Sequence, residues 1–179
     1  MLTYSKIMLV VSLLLLPRLA RAEIHFVASK ENQKVISAIP KSLLSSSDQS
    51  ITVIESVSTR QWLVLTKHLQ KRPEWSFAWE GVFVPDENTI YFQKRATNKP
   101  LLLHEVAHCI WSYHLTEEEK ERYNTAWVFD CATGQLPSAY SQTSPSEGFA
   151  ECFRIYLGAK EKNDGALSSR QKDFFSSLL

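Results

Sequence analysis

Glycine and proline are scarce, 5 and 7 of 179 residues, and no internal repeat or low-complexity tract is present. That excludes a collagen-like or compositionally disordered chain. Charge of one sign is equally absent. With 20 Lys+Arg against 19 Asp+Glu, the formal charge of +1 offers no field for nucleic acid or an anionic membrane surface. No strand-to-helix turn carries GxGxxG or a P-loop, so nucleotide binding has no support. The two methionines, Met1 and Met8, both fall in the first 22 residues. Only three cysteines occur, Cys109, Cys131 and Cys152, none spaced as CxxC and each in or near an apolar stretch. In an oxidising compartment they predict packing or one disulfide with one free thiol, the pair left open, against the alternative of a Cys-Cys-His metal site.

The longest apolar run, Ile7 to Leu16, is short of the roughly 20 residues that span a bilayer. Lys6 precedes it, and Pro17 and Ala20-Arg21-Ala22 follow, the layout of a secretory signal peptide over residues 1–22 with cleavage after Ala22. No cysteine stands at the cut to accept lipid. Loss of Lys6, Arg18 and Arg21 turns the charge slightly acidic. The expectation is a secreted or periplasmic protein, residues 23–179 forming one domain, monomeric, without stable membrane insertion once the signal is removed.

Hydrophobic residues make up 44% of the chain, enough apolar surface for one packed core. Ile24 to Ser29 and Ile51 to Ser56 read as strands, and Asn32 to Leu44 as a helix interrupted near Pro40. Trp62, Leu63, Leu65 and Leu69 predict an amphipathic helix over Thr59 to Lys71. Phe77 to Val84 and Thr89 to Gln93 flank the turn-forming Pro85-Asp86-Glu87-Asn88 as a hairpin. Helices follow from Asn98 to about Tyr113, from Thr116 with Glu119 as a capping box, from Pro145 to Leu157, and near Leu167 to Leu178. An early βαβα half before a helical half is an α+β layout.

Within the first of those helices stands His104-Glu105-Val106-Ala107-His108, an HExxH motif between apolar neighbours. Four residues at about 100° each place the two imidazoles on one face, one turn apart, in reach of a single Zn²⁺, with Glu105 beside the open position. Such polar groups facing a core cost several kcal/mol unless paired or metal-bound. A third ligand is needed. His114 has the spacing of the metzincin pattern HExxHxxGxxH, but Trp111 stands where that pattern needs glycine, and no methionine remains for a Met-turn. His114 therefore reads as a surface residue. Glu147, in Ser144-Pro145-Ser146-Glu147-Gly148-Phe149-Ala150-Glu151, would close a His-His-Glu site; its alternative is a helix cap with Ser144. Glu151, one turn on, shares its face and would hold the non-ligating nitrogen of a zinc histidine. His25 and His68 have no ligand spacing and read as solvent-facing.

These residues resemble the zincin metallopeptidases whose third ligand is glutamate, and among them the catalytic domain family typified by anthrax lethal factor. The strand before HExxH, Tyr140, and the run Glu147-Gly148-Phe149-Ala150-Glu151-Cys152-Phe153, similar to that family's E-x-F-A-E-x-F, carry the likeness over about Trp79 to Tyr156. Gly148 and Cys152 stand where a bulkier and a smaller residue are expected. The resemblance implies a zincin-like fold, with a small mixed sheet, an active-site helix and a helical C-terminal half. It also implies that the Tyr140 hydroxyl faces the zinc and stabilises an oxyanion.

The expected activity is hydrolysis of peptide bonds in extended protein or peptide segments by a zinc-bound water that Glu105 activates. Thr89 to Gln93 would be the edge strand on which the substrate pairs. The alternatives are a zincin-like binding module with weak or lost catalysis, and a metallohydrolase acting on cell-wall peptides.

Overall fold

The computed structural model of the chain describes residues 24–44, 49–58, 60–64, 80–93 and 98–179. The leader over 1–22, His68, the start of the first hairpin arm and most of the expected helix from Thr59 to Lys71 lie outside those residues; within that helix, residues 60–64 are helical and Trp62 is fully buried.

The described elements run β1 (His25–Val27), α1 (Lys30–Ile36), β2 (Ser50–Ile54), β3 (Gly81–Val84), β4 (Thr89–Phe92), α2 (Lys99–Tyr113), α3 (Glu117–Ala132), α4 (Pro145–Tyr156) and α5 (Ser169–Leu178). Four helices begin where a hydroxyl accepts an otherwise orphaned backbone N–H: Ser29 from Asn32, Thr116 from Glu119, Ser144 from Glu147 and Ser168 from Gln171. At Thr116 the Glu119 carboxylate returns the bond, completing the capping box. Pro40 splits the first helical stretch, so α1 stops at Ile36 and Lys41–Leu44 forms a separate 3-10 turn.

The sheet is mixed, in the order β1-β2-β4-β3. β1 and β2 are parallel, β2 and β4 are parallel, and β3 lies antiparallel to β4 across the hairpin. The hairpin turns on a 3-10 turn, Pro85–Glu87, closed by Asn88 at φ 48°, a left-handed conformation that asparagine tolerates. This order corrects one expectation. Thr89 to Gln93 is not an edge: the crossover from β2 returns beside β4, and the outer position falls to the first hairpin arm, β3. The Gln93 amide donates to the Glu80 carbonyl, so residues 80, 82 and 84 turn their peptide groups toward β4. Gly81 and Phe83 therefore present theirs outward, and among the described residues no strand pairs with them.

α2 is buried on most of its circumference. Leu102, Leu103, Val106 and Ile110 join Ile51, Ile90 and Phe92 of the sheet in one core. On the other side, rings from four helices interlock: Trp111 and Phe149 lie 5.4 Å apart between centroids, Tyr123 and Phe149 5.4 Å, and Tyr123 and Phe174 5.1 Å. Such contacts contribute about 0.5–1.5 kcal/mol each beyond burial. Asp130, fully buried on α3, accepts from Ser168 and Gln171 and fastens α5 to the rest.

Cys109, Cys131 and Cys152 are all free thiols, on α2, α3 and α4. Of packing and a disulfide, the structure shows packing: Cys109 and Cys152 are fully buried and act as small apolar residues, the Cys109 thiol donating to the Glu105 carbonyl. Among the described residues no helix is long and apolar enough to cross a membrane.

Candidate metal centre

Two helices supply the site. α4 runs antiparallel to α2, with Glu147 beside His108, Glu151 beside His104, and the Leu157 carbonyl beside the Lys99 ammonium. The i, i+4 spacing thus puts two imidazoles of one helix opposite two carboxylates of the other.

His104 Nε2 lies 3.0 Å from Glu147 Oε2, His108 Nε2 3.3 Å from the same oxygen, and the two Nε2 atoms are 3.2 Å apart. Bonds of about 2.0–2.1 Å to a tetrahedral Zn²⁺ require ligand atoms about 3.3–3.4 Å apart, so the observed triangle fits one ion with only slight opening. The chemistry of the set, two neutral-capable nitrogens and a carboxylate oxygen, suits zinc as well. Among the described residues, this trio forms a group able to hold a metal. The two readings of Glu147 coexist: its backbone N–H donates to Ser144 Oγ as the helix cap, while its carboxylate turns to the histidines. His114 ends α2, half-buried and outside the trio.

His104 is held from its far side. Its Nδ1 is 2.9 Å from Glu151 Oε1, which assigns Nδ1 as the donor and leaves Nε2 to face the trio. Burial pulls the His104 pKa down, but the Glu147 and Glu151 carboxylates outweigh it, pushing the group up to about 10. Burial opposes ionisation of both glutamates too, yet hydrogen bonds from His104, joined by His108 at Glu147 and Arg154 at Glu151, hold both carboxyls well below the usual range.

Glu105 lies under the free edge of β3. Glu105 is 4% exposed, and the outward N–H of Phe83 is turned to its carboxylate. Burial raises its pKa, against the pull of His104 and His108. Tyr140 opens a 3-10 turn, Tyr140–Gln142, with its ring 5.8 Å from the His104 ring and its hydroxyl near the Glu147 carboxylate. Burial first and the surrounding carboxylates second push the phenol far up, so it stays a proton donor.

Three contributors were not anticipated from sequence. Arg154 and Ser138 both donate to Glu151, and Asp164 grips Arg154. Gly148 explains its own departure from the resembled motif: a Cβ there would sit 2.5 Å from the Trp127 ring, whose Nε1 donates to the Ser141 carbonyl in the Tyr140 turn.

The two histidines, Glu105, Tyr140, Glu147 and Glu151 line one cleft of about 1120 Å³, which follows α2 from Asn98 to Ser112 between β3 and the chain around Glu161 and Asp164. No family model, curated protein or solved structure matches the chain.

Proposed function

We propose that the protein is an exported zinc-dependent endopeptidase of zincin type that cleaves extended protein or peptide segments. The observation that carries this reading is the mutual approach of His104 Nε2, His108 Nε2 and Glu147 Oε2 to within 3.3 Å, beside a buried glutamate and an open strand edge. Zinc on those three atoms would polarise a scissile carbonyl and acidify water.

The chain's own groups supply the rest. An extended segment pairs with the outward peptide groups of Gly81 and the outward carbonyl of Phe83, whose N–H is turned to Glu105, so β3, not β4, is the docking edge. This form of recognition uses backbone and excludes folded substrates. Glu105, with a raised pKa, takes the proton of the attacking water and passes it to the departing amine. The Tyr140 hydroxyl, kept protonated, donates to the carbonyl oxygen as negative charge grows on it. Glu151 keeps His104 in one tautomer throughout.

The test is cleavage of an unfolded-protein library by wild type and by Glu105→Gln, with purified peptidoglycan in parallel and a chelator control. The proposal expects chelator-sensitive cleavage of the library that the variant loses while keeping its metal. Cleavage of peptidoglycan alone would move the substrate class to cell-wall peptides; full activity in the variant would remove Glu105 from its role.

A further inference from the structure

Arg154 is 4% exposed and lies one turn beyond the ligand helix face, where nothing in the HExxH chemistry requires a cation. Its five N–H groups are all engaged. Nε donates to Glu151 Oε1 at 2.9 Å and one terminal nitrogen to Glu151 Oε2 at 2.7 Å and Asp164 Oδ1 at 2.9 Å. The other donates to Asp164 Oδ2 at 2.6 Å and to the Ala159 carbonyl at 3.1 Å. Arg154 lines the cleft, yet a guanidinium with no N–H to spare cannot grip a substrate carboxylate. Its bonds lead inward.

Glu151 in turn has four donors on two oxygens: His104 Nδ1, two Arg154 nitrogens and the Ser138 hydroxyl. A carboxylate on an unbranched ethylene stem has several rotamers, and the bidentate fork leaves it one plane. In that plane Oε1 meets His104 Nδ1, which aims Nε2 at the trio. Asp164 holds the fork from behind through a second bidentate pair, tying the 159–164 segment to the same axis.

We propose that Arg154 is a positioning residue for the metal centre: clasped by Asp164, it locks Glu151 and through it orients His104 Nε2 for zinc. The inference rests on the zinc reading of the centre. It predicts that Arg154 affects metal affinity only through Glu151, and that the planar fork matters beyond the charge.

The experiment measures zinc affinity by competition with a chromophoric chelator, independently of peptidase activity, for wild type, Arg154→Met, Arg154→Lys, Glu151→Gln and the Arg154→Met/Glu151→Gln double variant. Arg154→Met and Glu151→Gln should each weaken zinc binding by about 10–100-fold, the usual range for groups that orient a ligand. In the double variant the second change should add almost nothing. Arg154→Lys should fail to restore wild-type affinity. Should Arg154→Met not fold, Asp164→Asn, which loosens the fork but keeps Arg154, should give a smaller loss that also vanishes in the Glu151→Gln background. Losses that multiply across the two sites, or an unchanged affinity with only a lower melting temperature, would overturn the proposal. A wild-type chain that binds no zinc would instead overturn the reading of the centre, and this inference with it.

Discussion

Gly81 leaves the space that the Glu105 carboxylate occupies: a Cβ at residue 81 would lie 2.9 Å from Glu105 Oε1 and 2.8 Å from the Phe92 ring. The edge strand and the proposed base are therefore shaped to each other, and the phenyl ring behind prevents the strand from retreating. Gly81→Ala should push Glu105 off its position and lower kcat by about 10–100-fold, the range for a misplaced catalytic group. Zinc content should stay at the wild-type level, because none of the three ligand atoms touches Gly81. Steady-state kinetics with elemental analysis on the same sample checks both halves.

The metal-free protein should lose stability as pH rises from about 6.5 toward about 10. His104 has its folded pKa raised above the ordinary 6.5 to about 10, so its contribution is fully present below 6.5 and disappears through that window. Glu147 and Glu151, held below the ordinary 4.5, contribute above that pH and lose their effect as pH falls. Zinc bound at the trio would take the place of the proton on His104 Nε2, so a zinc-loaded protein should not show this alkaline loss. Thermal unfolding with and without zinc between pH 6 and 10 measures the difference; parallel curves would contradict the assignment of that proton.

Gly148→Ala should destabilise by about 1–3 kcal/mol, since the added methyl meets the Trp127 ring at 2.5 Å and the Ser141 carbonyl at 2.9 Å. Trp127 cannot yield without breaking its bond to Ser141, so the turn that carries Tyr140 should move with it. The expected signature is a lower melting temperature together with a changed tryptophan emission. Wild-type melting would show that the indole has room to shift.

Local spacing made part of the centre readable. Four residues on a helix set His104 above His108, and the same interval sets Glu147 above Glu151, so each pair's shared face follows from periodicity alone. The Ser144-Pro145 start of α4 likewise shows which end of the helix Glu147 occupies. Arg154 and Asp164 stayed hidden because their bond depends on how the chain turns after Gly158, where φ is 76° and the path folds back on α4. The order of the sheet was hidden for a related reason. β3 and β4 have burial patterns with no clear alternation, and only the parallel pairing of β2 with β4 decides which hairpin arm is left outside. Of the two outcomes the cysteine count left open, packing or one bridge, the structure takes packing, because each thiol sits on a different helix, in or against the apolar core.

The most direct measurement is zinc stoichiometry with X-ray absorption at the zinc edge, on wild type and Glu147→Gln. Wild type should retain one zinc per chain, with two imidazole nitrogens and a carboxylate oxygen at about 2.0–2.2 Å, and Glu147→Gln should bind it more weakly. A wild-type protein that takes up no zinc, or one whose zinc spectrum and affinity are unchanged by Glu147→Gln, would contradict a centre built on His104, His108 and Glu147.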